Sequence, residues 1–112
     1  MEYSIDKMHM EKHGLRREGK TVDAVVDIIG KIMVTENETF PFVIKYMDRA
    51  NHIRKEFISL CINHFKVTPL KDTIWTLGIK GYSSRAIFVP IEKWKRDWFT
   101  YNHDVVPTFD LD

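Results

Sequence analysis

Cysteine occurs once, alanine only at positions 24, 50 and 86, and no run of the chain approaches the ~20 apolar residues that a membrane span requires. Each shortage excludes something. A lone Cys61 cannot close a disulfide within the chain, so a reducing, cytoplasmic setting is expected. Residues 1–14 carry charges every few positions and lack the ~7–15-residue apolar region of a secretory signal. The shortage of alanine beside many Ile, Lys and Asp residues is a bias that an AT-rich coding genome, such as many phages have, can produce. An excess of one charge is missing too: 17 Lys and Arg face 16 Asp and Glu, for a net charge of +1. The whole molecule therefore has no pull toward nucleic acid or acidic membrane, and any polyanion site has to be a local patch.

What is present is enough for one folded unit. A chain of 112 residues that is 44% apolar and 29% charged has the size and composition of a single globular domain. The organising stretch is residues 48–66, where Ala50, Ile53, Phe57, Leu60, Cys61 and His64 recur at three- and four-residue steps. Ile58, Ile62 and Phe65 add a second stripe beside the first. This predicts a helix whose first turns are wet and whose last turns are buried, with Asp48 as N-cap and Pro69 beyond its end.

The remaining elements follow from period and punctuation. Ser4 can cap a short first helix that stops at Gly14, and residues 1–20 read as a loosely attached arm. Residues 21–33 place Val22, Val25, Val26, Ile29, Ile32 and Met33 on a helical stripe, with Asp23, Asp27 and Lys31 on the other face. Residues 40–46 read as a strand, with Phe40, Phe42, Ile44 and Tyr46 on one face and Pro41 at its start or on a sheet edge. Residues 73–80 alternate, with Trp75, Leu77 and Ile79 on one face, and return through 85–89 as a hairpin turning at 81–84. Pro90 opens a late helix bearing Trp94 and Trp98. Residues 102–112 form an acidic tail docked by Val105, Val106 and Phe109. The expected fold is α+β, in the order α-α-β-α-β-β-α, with an antiparallel sheet of three or more strands packed on the central helix.

Three site readings compete. In the first, Trp94, Trp98, Phe99 and Tyr101 crowd one short segment, and Lys93, Lys95, Arg96 and Asp97 supply a charged rim. Aromatics within a polar rim are the composition of a protein-binding patch, so an unidentified protein partner or a homodimer comes first, in a small regulatory protein without a cofactor. The second is nucleic-acid binding, with Lys80, Tyr82 and Arg85 at the hairpin tip and Arg49, Arg54 and Lys55 at the wet end of the central helix. A pI of 7.9 falls below the pI above ~9 usual for such domains, which ranks this reading second. The third is a metal-dependent enzyme built on Cys61 and His64 with His9 and His13, whose spacings put two donors on one helix face without matching any zinc motif. No glycine-rich phosphate loop and no nucleophile–base pair stands out, so binding is expected in preference to catalysis.

Overall fold

Hydrophobic period wins over local propensity in the first described helix. In the computed structural model, which describes residues 17–71 and 73–111, α1 spans Arg17–Val34 although Val and Ile favour strands and Gly30 disfavours helix. Its buried residues Ala24, Val25, Ile28, Ile29 and Ile32 form one stripe at helical spacing. The short first helix expected around Ser4 lies outside the described residues.

A turn led by Asn37, which adopts a positive φ of 56°, opens into β1, Thr39–Ile44. The next helix, α2, covers Arg49–Leu60 and runs into a π-helical turn at Cys61–Phe65. Lys66 closes it in the left-handed region, and its amide and that of Val67 both donate to the Cys61 carbonyl. Then come β2 (Thr76–Leu77), β3 (Arg85–Pro90), α3 (Ile91–Asp97), a 3-10 turn at Trp98–Thr100, and β4 (Thr108–Asp110). Three helices and a four-stranded sheet make an α+β fold, with the expected order of elements among the described residues.

The sheet runs β2-β3-β1-β4 and is mixed. Only the β2–β3 hairpin is antiparallel, in the register Thr76↔Ile87 and Leu77↔Ala86. β1 pairs parallel with β3 on one side and with β4 on the other, so the fully antiparallel sheet expected from the sequence is not what forms. The reason is the connection. α2 carries the chain back to the starting end of the sheet, the segment around Pro69 pairs antiparallel with Ile79 at the edge, and the β2–β3 hairpin then brings β3 in parallel to β1. The second crossover, through α3, returns in the opposite direction past β1 to β4. Two crossovers of one hand running in opposite directions must use opposite faces, and α2 and α3 do so.

Both faces are therefore covered, and β1 is buried from Phe40 to Ile44. Phe40, Phe42 and Ile44 join Ala86 and Phe88 beneath α1 and α2, with the Phe42 and Phe88 rings 5.6 Å apart. Val43 and Val89 are buried on the opposite face, where Trp94 of α3 meets Phe109 of β4 edge-on at 5.9 Å. Pro41 is tolerated inside a central strand because β4 begins to pair only at Phe42, one residue later. The outer edge beyond β2 is covered by its own chain: Leu70 N–H donates to Gly78 O at 2.9 Å and Lys80 N–H to Thr68 O at 2.8 Å.

Four expectations need correction. The second stripe of the central helix does not finish buried: Ile58 and Ile62 are exposed and His64 lies at the surface, because α2 sits on one sheet face and buries one stripe only. Asp48 occupies the N-cap position but makes no capping hydrogen bond from its side chain. Trp75 lies outside the hairpin strand, 48% exposed, while Leu77 and Ile79 go to the core. The acidic tail carries β4, with Thr108 and Asp110 buried.

β4 is held by polar side chains of α1, including Asp27 and Lys31, two of the three residues expected on the face away from the apolar stripe. Thr108 Oγ1 donates to Asp27 Oδ2 at 2.7 Å, and Lys31 Nζ donates to Thr108 Oγ1 at 3.1 Å and to Val106 O at 3.2 Å. Thr21 Oγ1 donates to Asp110 Oδ2 at 3.0 Å. A strand of three residues has too few ladder bonds to hold itself, and these contacts supply the rest.

Candidate functional site

The aromatic set splits into a buried half and an exposed half. Trp94 is half-buried between Tyr101, 5.0 Å away, and Phe109. Phe109 ties Trp94 to the sheet, and Trp94 and Tyr101 are both partly buried. Trp98 and Phe99 are 51% and 68% exposed on the 3-10 turn that follows. The Trp98 indole is not loose: His103 stacks on it at 5.0 Å with an interplanar angle of 13°. The His103 ring also lies 3.1 Å from the Trp98 carbonyl, to which a protonated Nε2 donates. His103 thereby covers one indole face while the side chain stays half exposed. Arg96 and Lys93 both pair with Asp97, at 3.2 and 3.7 Å. The Arg96 bond pulls the Asp97 carboxyl below its ordinary range. Lys95 stands exposed beside them.

The residues of the nucleic-acid reading are not gathered on one face. Arg54 turns its guanidinium onto the loop ahead of β2 and donates to Ile74 O at 2.8 Å, Thr76 O at 3.0 Å and Thr73 O at 3.1 Å. It lies 5.8 Å from the Phe88 ring, and burial lowers its pKa. Arg85 donates to Tyr82 O at 2.7 Å and Ser84 O at 2.9 Å, with its stem across Gly78, where a Cβ would sit 2.7 Å from Arg85 Cδ. Arg49 reaches toward Asp110 and Thr21. Tyr82 packs partly against the core, and of the six residues only Lys55 and Lys80 are exposed.

Cys61 is fully buried, and burial pushes its thiol up to about 11, so it is a packing group and a poor nucleophile. His64 is exposed three residues on, while His9 and His13 lie outside the described residues. Among the described residues no three His, Cys, Asp or Glu side chains converge on a metal position. No helix among them is long and apolar enough to cross a membrane.

Two features were not legible in the sequence. The first is a buried polar group where β4 ends: Asp110 is 3% exposed, accepts from Thr21 and lies 3.9 Å from Arg49, while its Oδ1 and Arg49 Nε have no partner among the described residues. The second is a cleft of about 350 Å³ at the amino end of β3, lined by Met33, Val34, Thr35, Glu36, Gly81, Tyr82 and Ser83. Its floor joins two turns. Asn37 N–H donates to Ser83 Oγ at 2.8 Å, and Glu38 N–H to Ser84 Oγ at 3.1 Å. Thr35 Oγ1 donates to Lys31 O at 2.6 Å and so receives the Ser84 hydroxyl at 2.8 Å. Serines in a hairpin turn signal a turn; their bonds to a segment 46 or more positions away give no local signal.

Comparison with protein-family models, with curated proteins and with solved structures gave no match to this chain.

Proposed function

We propose that the protein is a small intracellular binding protein without catalytic activity, and that its partner is another protein seated on the Trp98–Phe99 ridge. One observation carries the reading: two large aromatic side chains stand 51% and 68% exposed on a turn that their neighbours Trp94, Tyr101 and His103 hold in place. The Trp98 indole binds at low entropic cost, because His103 restricts its rotamers before the partner arrives. The chemistry of the partner follows from the rim. The α3 helix carries Lys93, Lys95 and Arg96 against Glu92 and Asp97, so an apolar pocket edged by carboxylates fits it. Three arginines of the nucleic-acid set spend donors on internal carbonyls or on the Asp110 group, and that reading has no comparable support.

The test is a paired capture with the parent chain and a Trp98→Ala/Phe99→Ala variant, with nuclease treatment throughout. A protein retained by the parent should be lost by the variant, and its purified form should bind the parent and not the variant in calorimetry. The variant's thermal midpoint should stay within a few degrees of the parent's. Equal retention by both chains, or unfolding of the variant, removes the ridge as the docking site.

A further inference from the structure

The loop ahead of β2 is an exposed apolar projection with more internal support than its exposure requires. Ile74 and Trp75 are 71% and 48% exposed, yet the backbone beneath them takes three hydrogen bonds from Arg54. Thr73 Oγ1 accepts from Trp75 N–H at 3.2 Å and lies 3.0 Å from Thr76 Oγ1, and Phe88 N–H donates to Trp75 O at 2.8 Å. Two large apolar side chains are held out into water on a rigid base. That is the arrangement of a recognition knob, whose ordering cost is met before it meets its socket.

The same chain carries a matching socket. The cleft of about 350 Å³ lies within the ~300–1,000 Å³ range of pockets that enclose a small ligand, and it has room for an indole. Its apolar wall is Met33, Val34 and Tyr82, and Val34 is 81% exposed, the most exposed of the large apolar side chains among the described residues. Charge is complementary: Glu36 stands exposed in the cleft lining, whereas the Arg54 guanidinium lies at the base of the knob, bonded to Ile74 O at 2.8 Å. Knob and cleft occupy opposite ends of the β2–β3 hairpin, the knob opposite Phe88 and the cleft at Gly81 to Ser83. Five strand residues separate them by ~16 Å, so a chain cannot fill its own cleft.

We propose that a second copy of this chain is the occupant: the Ile74–Trp75 turn of one copy seats in the Met33–Val34–Tyr82 cleft of the next. The contact is heterologous, and each bound copy still presents a free knob at one end and a free cleft at the other, so association is open-ended. The footprint is that of a transient interface, and assembly depends on concentration. The Trp98–Phe99 ridge takes no part, and this inference does not rest on it.

Sedimentation velocity and light scattering from about 10 µM to about 1 mM test it, a span that brackets weak association. The parent's mean mass should rise with concentration beyond that of a dimer. Trp75→Ser removes the knob and Val34→Arg blocks the cleft, and each variant alone should remain a monomer. Their equimolar mixture should form a heterodimer and nothing larger, since together they supply one complete contact. Both positions are exposed, so far-UV circular dichroism should match the parent; Ile74→Glu replaces Trp75→Ser if that variant is unstable. A parent that stays monomeric across the range, a mixture that does not pair, or a Trp75→Ser chain that associates like the parent overturns the proposal. So does loss of assembly in Trp98→Ala/Phe99→Ala, which would assign self-association to the ridge.

Discussion

Arg54→Met isolates what holds the loop before β2. The side chain donates to three carbonyls, of which Thr76 O is part-buried and Thr73 O and Ile74 O are exposed. A bond from a charged donor contributes ~1.5–3 kcal/mol where water is excluded and a few tenths where it is not, so the three together come to about 2–3 kcal/mol. Methionine keeps an unbranched stem against the Phe88 ring, which leaves packing nearly unchanged while removing all the donors. Urea unfolding should show the midpoint falling with the slope preserved, which marks a change of stability and not of the unfolded state. Hydrogen exchange should localise the loss to the Thr76 amide, bonded to Thr73 O at 3.3 Å, and the Phe88 amide, bonded to Trp75 O. Arg54→Lys should fall between parent and methionine, because an ammonium cannot reproduce the planar fork. If methionine costs less than about 0.5 kcal/mol, the usual scatter of a surface substitution, with both amides still protected, the clamp carries no stability and the reasoning fails.

Three further outcomes are expected. Gly30→Ala should stabilise the protein by about 0.5–1 kcal/mol in chemical unfolding, since a Cβ there meets nothing within 4 Å and α1 gains helix propensity. Thr21→Val keeps shape but strips the buried Asp110 of the Thr21 hydroxyl donor, and should cost about 1–3 kcal/mol, with strong non-additivity against Asp110→Ala in a double-mutant cycle. The Cys61 thiol is raised from 9.0 to about 11, so its folded form favours the neutral state. The resulting stability is fully present below pH 9 and is lost as the pH rises toward 11, where the unfolded thiol ionises first. Cys61→Ala should remove that part of the alkaline loss, read as the difference between the two stability–pH curves.

Residue pattern alone placed most of the helices and strands. The stripe Val25, Ile29, Ile32 specified α1 in spite of β-branched propensity, because burying one face outweighs a few tenths of a kcal/mol per residue. Ala50, Ile53 and Phe57 specified α2, and the alternation of Leu77 and Ile79 their place in the core. These signals are local: period follows from backbone geometry and is written in neighbouring positions. What the folded chain alone decided are contacts between distant residues. The parallel pairing of β1 depends on where the crossovers land. Thr108–Phe109–Asp110 becomes a strand because Thr21, Asp27 and Lys31 meet it from 77 or more positions away. Arg54, which by composition belongs to a wet basic patch, becomes a clamp only once the loop at residues 73–76 is folded over it. Charge and polarity are legible in a sequence; which carbonyl a guanidinium finds is fixed by packing, so the knob and the cleft emerged only from tertiary structure.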